Sequence, residues 1–276
     1  MKKFSKELAE ICGIHAGDGY LRLRKTKGEL DISGNIEERD YYDFHVIPLV
    51  NRYFDLNIKG RYFSRGTYGF VLYNKQVALF LNKLGFPFGK KSKVVGVPEF
   101  ILKSNDKELY CGFLRGLFDT DGHLGFKNRR TGGSYCEFKK TYNYYPVVQI
   151  TTISERLSKG VYFMLRELGL KCFIAGYQSK NPFESYRYVI VLSGKDRLLK
   201  WMDLIGMKNP VKFSRFQIWK KFGFCPTNLN LFQREKILTG ELDIYSVGVH
   251  GVRDNTAGFG PANRGSNPRG LVKKRL

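Results

Sequence analysis

Two aspartates stand at matching places in two similar segments of the 276-residue chain. Asp18 is followed by Gly19 and Asp121 by Gly122, and the two segments align at a constant offset of 103 residues. If both aspartates end packed helices, two carboxylates meet at the negative ends of two helix dipoles, which is destabilising. Divalent metal ions bound by these oxygens would offset the repulsion. Metals held by carboxylates and substrate phosphates are a standard arrangement for phosphodiester hydrolysis, so the pattern indicates that chemistry.

The segments that carry the aspartates are predicted to be helices, over Lys6–Gly17 and Lys107–Thr120. Glycine inside a helix costs about 1 kcal/mol relative to alanine, so its repeated use needs a reason. Residues spaced by four lie on one helix face, and such a stripe of small residues lets two helix backbones approach closely. We therefore predict that the two helices pack against each other through Ala9, Gly13, Gly112 and Gly116.

The segments that follow each helix also repeat, and each half is predicted to have the order α-β-β-α-β-β-α. The predicted strands are Tyr20–Arg24, Leu30–Ser33, Lys59–Ser64 and Tyr68–Tyr73, then Leu124–Asn128, Val147–Thr152, Lys171–Tyr177 and Arg187–Leu192. The other predicted helices are Tyr41–Tyr53, Lys75–Leu84, Glu155–Leu168, Lys195–Leu204 and Phe232–Thr239. The fold class is thus α+β, with halves at 1–86 and 106–222, a linker at 87–105 and a C-terminal extension at 223–276. We expect the extension to be basic and partly mobile.

The charge balance points to a polyanionic partner. The chain has 47 Lys and Arg against 25 Asp and Glu, a formal net charge of +22. Most of this excess lies in residues 1–222, so a folded surface carries it rather than a basic tail. Nucleic acid is the first candidate partner and an anionic membrane surface the second. With 42% hydrophobic residues the chain is not wholly disordered, and its five scattered cysteines suit a reducing compartment better than a disulfide framework.

The predicted strands separate apolar from basic side chains. In Tyr20–Arg24, Leu21 and Leu23 face one side while Arg22 and Arg24 face the other. A face of this kind can contact phosphates and base edges. The predicted DNA-contacting residues are Arg22, Arg24, Lys59, Arg61, Arg65, Lys127, Arg129, Lys139, Gln149, Lys171, Gln178, Lys180 and Arg187.

The two aspartate segments resemble the LAGLIDADG motif of homing endonucleases, in its monomeric two-motif form. The copies read Ile11-Cys-Gly-Ile-His-Ala-Gly-Asp-Gly19 and Leu114-Arg-Gly-Leu-Phe-Asp-Thr-Asp-Gly122, and the resemblance extends over roughly residues 6–222. It implies two pseudo-symmetric halves packed through the motif helices, each with a curved antiparallel sheet that binds the DNA major groove. It further implies double-strand cleavage at a long, partly asymmetric DNA site, with Mg²⁺ as cofactor and Mn²⁺ as a substitute.

The resemblance also implies roles for individual residues. Asp18 and Asp121 coordinate the metal, with Gly17 and Thr120 as the other metal-site residues. A basic and a polar residue from each half usually assist. Lys75 and Lys195 are the predicted basic assistants, while Gln149 is the predicted polar one and stands at a strand position roughly equivalent to Asp31.

The chain departs from the motif at two positions. The sixth position, often acidic, is Ala16 in the first copy and Asp119 in the second. The fifth, usually apolar, is His15, which we expect to be tolerated as a partly exposed side chain. Neither position is the metal-ligating one, so the predicted catalytic residues are unaffected.

Three functions suit this sequence. The first is a site-specific DNA endonuclease, encoded by a mobile intron rather than an intein. The second is an RNA maturase that binds intron RNA to assist splicing, and the third is a DNA-binding protein that has lost cleavage. The presence of both Asp18 and Asp121 favours the first, because binding alone needs neither. We expect a monomer, in the cytoplasm or an organelle, neither secreted nor membrane-bound.

Overall fold

The computed structural model describes residues 4–64, 66–128, 142–179, 181 and 183–247. The predicted DNA-contacting residues Arg65, Arg129, Lys139 and Lys180 lie outside the described residues, as does the tail from 248 to 276. No helix within the described ranges is long and apolar enough to cross a membrane.

The first half follows the predicted order. Its elements are α1 (Lys6–Asp18), β1 (Gly19–Leu23), β2 (Gly28–Asn35), a 3₁₀ turn (Ile36–Glu38), α2 (Arg39–Tyr41), a π-helical stretch (Tyr42–Val46), α3 (Ile47–Phe54), β3 (Arg61–Tyr62), β4 (Thr67–Tyr73) and α4 (Lys75–Lys83). The strands form an antiparallel sheet in the order β1-β2-β4-β3. The short element α5 (Glu99–Leu102) then lies in the predicted linker.

The second half repeats this arrangement. Its elements are α6 (Lys107–Asp121), β5 (Gly122–Lys127), β6 (Tyr145–Thr152), α7 (Glu155–Glu167), β7 (Phe173–Tyr177), β8 (Arg187–Ser193) and α8 (Lys195–Leu204). Its sheet has the equivalent order, β5-β6-β8-β7, and is again antiparallel. The predicted α+β fold with two repeated halves is confirmed.

Two further helices follow α8. Helix α9 (Pro210–Phe222) lies in a segment for which the sequence pattern predicts no separate helix, and α10 (Leu231–Thr239) packs on it. The side chain of Arg234 in α10 is buried and donates a 2.9 Å hydrogen bond to the Ser214 hydroxyl of α9. The backbone N–H of Leu231 donates to the Glu37 carboxylate in the first half. The described part of the C-terminal segment is therefore packed against both halves.

Helices α1 and α6 form the contact between the halves, and glycine makes this contact possible. A Cβ atom added to Gly13 would lie 2.1 Å from the carbonyl oxygen of Phe113, and one added to Gly116 would lie 2.3 Å from that of Glu10. A Cβ at Gly112 would lie 3.4 Å from the Ala9 Cβ atom. The four small residues predicted at the helix contact all lie there, and the neighbouring atoms are mostly backbone.

An ion pair crosses the same helix contact. Glu10 of α1 is 2% exposed and accepts two hydrogen bonds from the Arg115 guanidinium of α6, one of them 2.8 Å long. His45 Nε2 lies 2.7 Å from the same carboxylate. Burial acts to raise the pKa of Glu10, but the hydrogen bonds from Arg115 and His45 outweigh it and bring the pKa to about 2.

Candidate active site

The C-terminal ends of α1 and α6 bring the two motif aspartates together. Asp18 and Asp121 are the last residues of their helices, and each is followed directly by the first strand of its half. A Cβ atom added to Gly17 would lie 2.1 Å from the Thr120 hydroxyl and 3.3 Å from the Asp121 carboxyl carbon. The absence of a side chain at Gly17 therefore lets the second aspartate approach the first helix.

The Asp18 carboxylate is held by a tyrosine from the helix that follows β2. The Tyr42 hydroxyl donates a 2.7 Å hydrogen bond to Asp18 Oδ2. Glu38 brings a third carboxylate, because a Cβ atom added to Gly34 would lie 3.0 Å from both Asp18 Oδ2 and Glu38 Oε2. Burial raises the pKa of Asp18 to about 7, and the charges of Asp121 and Glu38 add to the shift. The hydrogen bond from Tyr42 acts in the opposite direction.

The Asp121 carboxylate has a more open environment. Asp121 is exposed and lines a cavity of about 280 Å³ together with Gly17, Lys91, Thr151 and Arg187. The surrounding protein displaces water from one side of the carboxyl and so raises its pKa, while the charges of Lys91 and Lys212 lower it. The cavity lining therefore places the cationic side chains of Lys91 and Arg187 in the same pocket as Asp121.

Two lysines bind the carbonyl groups next to these aspartates. Lys91 Nζ donates to the carbonyl of Gly17, and Lys212 Nζ donates to the carbonyls of Asp119 and Thr120 at 2.6 and 2.7 Å. Burial lowers the pKa of both ammonium groups, and the pair Asp18 and Asp121 raises it. Each helix end thus has a carboxylate, a backbone carbonyl and a lysine ammonium in one cluster.

Asp119 anchors the helix that supplies Lys212. Its side chain is fully buried, and Oδ2 accepts a 2.7 Å hydrogen bond from the backbone N–H of Lys208. Its backbone carbonyl accepts another, also 2.7 Å long, from the Asn209 side chain, which caps α9. The acidic residue at the sixth position of the second motif therefore fixes the start of α9 and, with it, the position of Lys212.

Our expectation for His15 is wrong. Its side chain is 0% exposed and makes an edge-on contact with the Phe86 ring, with the ring centroids 4.5 Å apart. Burial lowers its pKa to about 3, and the charge of Lys91 adds to this effect. His15 is consequently a neutral part of the core beneath Gly19, at a motif position that is usually apolar.

The predicted basic assistants Lys75 and Lys195 lie at the far ends of the two sheets from the aspartates. The Lys75 Cα atom is 2.7 Å from the position of a Cβ at Gly28, whereas Asp18 lies beside Gly34. Six residues of strand, roughly 20 Å, separate these two glycines. In the second half Gly194, which precedes Lys195, donates a backbone hydrogen bond to Pro146. Pro146 lies four residues along β6 from Ile150, and Ile150 pairs with Gly122, the residue after Asp121. The structure therefore brings neither lysine to the aspartates.

The predicted polar assistant Gln149 occupies the strand position equivalent to Asp31. Gln149 pairs with His123, the second residue after Asp121, and Asp31 pairs with Tyr20, the second residue after Asp18. Asp31 hydrogen-bonds with Ser33 at 3.0 Å, and burial raises its pKa. Both residues lie on the outer faces of their sheets, one strand away from the motif aspartates.

The described DNA-contacting candidates are spread over the outer surfaces of the two sheets. Apart from the half-buried Gln149 they are exposed, and they comprise Arg22, Arg24, Lys59, Arg61, Lys127, Lys171, Gln178 and Arg187. The opposite faces of the central strands are buried, with Leu30 and Ile32 in one sheet and Val148 and Ile150 in the other. This division gives each half an apolar inner face and a basic outer face.

Comparison with known proteins shows which domain family the second half resembles. Residues 108–206 match the family model of the LAGLIDADG-like domain. The matched residues include the second motif, whereas the first motif, at the end of α1, lies outside them. Two solved structures have the same fold as this chain, a K103A mutant of I-SmaMI and the meganuclease I-SmaMI bound to uncleavable DNA. Their TM-scores are 0.53 and 0.50, with 13% and 12% sequence identity over 87% of this chain and 94% and 93% of theirs.

A curated relative is much longer than this chain. The replication factor C small subunit of Methanocaldococcus jannaschii is 25% identical over 218 residues. The match covers 77% of this chain but only 10% of that protein.

The sequence interpretation missed four residues of the candidate site, namely Lys91, Lys212, Tyr42 and Glu38. Lys91 lies in the linker and Lys212 in α9, far from both motifs along the chain. The helix α9 had a sequence signal, because Asn209 caps it, Pro210 is its first residue and Gly223 ends it with a φ of 82°. No comparable local signal marks Tyr42, whose role depends on a contact with Asp18 across 24 residues.

Proposed function

We propose that this protein is a site-specific, divalent-metal-dependent endonuclease that cuts both strands of double-stranded DNA. The observation that supports this most strongly is the cluster at the ends of α1 and α6. Two carboxylates, two backbone carbonyls and two lysines lie there, between two sheets with basic outer faces. A DNA-binding protein that does not cut needs no such cluster. The LAGLIDADG fold and the motif aspartates are consistent with the same activity.

The sheets are the proposed DNA-binding surfaces. Exposed arginines and lysines on their outer faces suit contacts to phosphates, which fix the register of a protein on the duplex. Arginine and glutamine side chains on the same strands suit contacts to base edges in the major groove. Since the two sheets differ in sequence, the target is expected to be long and partly asymmetric.

The residues around the aspartates fit a hard divalent cation such as Mg²⁺, with Mn²⁺ as a substitute. Mg²⁺ prefers oxygen ligands and usually keeps several waters. The proposed ligands are Asp18, Asp121 and the carbonyls of Gly17 and Thr120. That Lys91 and Lys212 bind these carbonyls indicates that the positions favour a positive charge. No group of three His, Cys, Asp or Glu side chains within the described ranges could hold a metal alone, so backbone oxygens, water and DNA phosphates must complete the coordination.

The aspartates, the lysines and the sheets have separate roles in the proposed reaction. A bound metal ion would lower the pKa of a water molecule and neutralise charge on the scissile phosphate. Asp18 and Asp121 bind and orient the cation at each helix end. Lys91 and Lys212 lie where they can stabilise the additional negative charge that develops on the phosphate during hydrolysis. The sheets hold each strand so that its phosphate meets one of the two clusters.

The experiment is cleavage of a duplex target selected from a randomised library, in the presence of Mg²⁺. We expect double-strand cuts by the wild type, and no cuts by Asp18→Asn or Asp121→Asn, with DNA binding retained. Asp40→Asn, an exposed carboxylate substitution in α2, serves as the control and should cut normally. Equal cutting by Asp18→Asn would contradict its assignment. If no DNA is cut but structured intron RNA binds tightly, the maturase function replaces the nuclease.

The chain is further proposed to act as a monomer, because both motif helices needed for the site are present in one polypeptide. Size-exclusion chromatography coupled to light scattering tests this, and the expected mass is 31.9 kDa. We also propose that an intron encodes it, which the coding sequence around the gene would establish.

A further inference from the structure

The two aspartate clusters differ although the halves that carry them repeat. The strand pairings define equivalent positions, since Gly19 pairs with Ile32 and Gly122 with Ile150. Glu38 and Tyr42 lie six and ten residues after Ile32. The residues at the same distances after Ile150 are Arg156 and Gly160, which are therefore their equivalents in the second half. The tyrosine and the third carboxylate are therefore specific to the Asp18 side.

The second half uses these two positions for packing. A Cβ atom added to Gly160 would lie 2.6 Å from a methyl group of Val97, so the linker fills the space that the tyrosine occupies in the first half. Arg156 lies over Gly96, with its Nε atom 2.7 Å from the position of a Cβ there. No side chain in the described part of the protein donates a hydrogen bond to Asp121, which instead faces the cavity shared with Lys91 and Arg187.

The first half holds its aspartate through a connected set of polar groups. Tyr42 is buried and donates to Asp18 Oδ2, which fixes the orientation of the carboxylate and leaves its other oxygen for a cation. Glu38 Oε1 accepts a 2.7 Å hydrogen bond from Asn209 and lies 3.9 Å from Lys212 Nζ, so the third carboxylate is also fixed. Groups that hydrogen-bond a metal-binding carboxylate orient it, and their removal typically costs roughly 10- to 100-fold in metal affinity or activity.

We propose that Tyr42 is a positioning residue for one of the two strand cuts and that, with Glu38, it makes the Asp18 cluster the higher-affinity metal site. The inference rests on the proposed nuclease function and extends it, because it assigns a different metal dependence to each strand. At limiting Mg²⁺, the strand bound at the Asp18 cluster is cut first and a singly nicked duplex accumulates. At saturating Mg²⁺, both strands are cut at similar rates.

The experiment follows both strands separately. A duplex target carries a different dye at each 5′ end, and single-turnover rates of cutting are measured for each strand over a range of Mg²⁺ concentrations. We expect Tyr42→Phe to slow one strand roughly 10- to 100-fold at limiting Mg²⁺ and to raise the Mg²⁺ concentration that this strand needs. The other strand keeps its wild-type rate and Mg²⁺ dependence. Glu38→Gln should raise the Mg²⁺ requirement of the same strand.

Tyr41→Phe is the matched control. The Tyr41 hydroxyl is buried next to Tyr42 and has no hydrogen-bond partner within the described ranges, so its removal tests burial and packing without touching Asp18. It should leave both strands unchanged. A merely structural role for Tyr42 would instead lower the thermal unfolding temperature and slow both strands together.

The outcomes separate this inference from the proposed function. If the wild type cuts no DNA, the nuclease proposal fails. If the wild type cuts both strands with one common Mg²⁺ dependence, or Tyr42→Phe affects both strands equally or neither, the nuclease proposal survives and the inference about Tyr42 is overturned.

Discussion

Lys212 is a buried cation that hydrogen-bonds to backbone carbonyls of the candidate active site. It is 8% exposed, it donates to the carbonyls of Asp119 and Thr120, and Glu38 is its nearest carboxylate. A fixed cation near a reacting phosphate is worth roughly 10²- to 10³-fold in rate when removed. We therefore predict that Lys212→Met lowers the single-turnover cleavage rate by about that factor while DNA binding changes little. Quenched cleavage time courses and a fluorescence binding titration measure the two quantities.

Lys208→Met is the control for this substitution. Lys208 is four residues away, exposed, and contributes only its backbone N–H to Asp119, so its replacement removes the same charge from the same region. It should cut at the wild-type rate. If Lys212→Met and Lys208→Met weaken cleavage equally, the effect is one of net charge and the role given to Lys212 is incorrect.

Single residues show how far the sequence can predict the site. Asp18 and Asp121 could be predicted because they belong to a local, repeated pattern with its own helix and glycine. Lys75 and Lys195 were candidates because they follow strands, yet a strand has two ends roughly 20 Å apart and the pattern does not say which end holds the site. Lys91 and Lys212 reach the site through tertiary contacts across more than 70 residues, which no local pattern encodes.

At the scale of elements, the α1–α6 contact is the packing on which both halves depend. A Cβ atom at Gly116 would lie 2.3 Å from the backbone carbonyl oxygen of Glu10. Neither helix can move away from this contact without also moving the aspartate at its own C-terminal end. Overpacking typically costs about 1–3 kcal/mol, and the backbone contacts place Gly116→Ala in the upper part of that range. The gain in helix propensity, about 1 kcal/mol, offsets only part of it. Denaturant unfolding should show a clear net loss, whereas Glu7→Ala on the exposed face of α1 should change stability by less than about 0.5 kcal/mol.

The Glu10–Arg115 pair gives this contact a dependence on pH. The pKa of Glu10 is about 2 in the folded protein, below its ordinary value of 4.5. The unfolded chain therefore binds the proton more tightly, and the pair stabilises the fold above about pH 4.5 but loses this contribution as the pH falls towards 2. We predict that Glu10→Gln costs about 3 kcal/mol at neutral pH, the lower end for a broken buried ion pair, because the partly buried Arg115 guanidinium loses its carboxylate partner. The loss should shrink as the pH is lowered.

The exposed pair between Lys6 and Glu108 provides the comparison, since it joins the same two helices. Exposed ion pairs contribute roughly 0–1 kcal/mol, so Glu108→Gln should change little at any pH. Unfolding free energies measured for both variants from pH 7 to pH 3 test the prediction. A pH-independent cost for Glu10→Gln would mean that the carboxylate charge does not stabilise the helix contact.

The order of elements was predictable because the chain repeats it and each half has the same alternation of helices and strands. The part of α6 that precedes Asp121, for example, follows the same spacing of small and apolar side chains as α1. Helix α9 was not predicted, because its apolar residues are spread around its surface and pack against α10 on one side and β5 on another. Its cap signals at Asn209 and Gly223 are better evidence for a helix than its periodicity.

At the scale of the whole molecule, the positive charge and the aspartates occupy separate regions. The outer faces of the sheets carry exposed lysines and arginines, while the carboxylates lie between the sheets at the helix ends. Binding and cutting should therefore respond to different substitutions. A distant basic cavity of about 440 Å³, which includes Lys171, Lys195, Arg197 and Lys200, is a suitable place to test this.

We predict that replacing Lys171 and Lys195 together by glutamine weakens DNA binding without changing the cleavage rate of bound DNA. Removing one lysine–phosphate interaction should reduce the slope of log K against log salt concentration by about 0.9, so removing two should reduce it by about 1.8. Affinities measured over a series of salt concentrations give the slope, and single-turnover cleavage at saturating protein gives the rate. Lys103→Gln, which removes an exposed lysine paired with Glu99 of α5, should leave both unchanged. A slower rate on fully bound DNA would instead show that this end of the sheet positions the scissile phosphate, and that Lys195 belongs to catalysis.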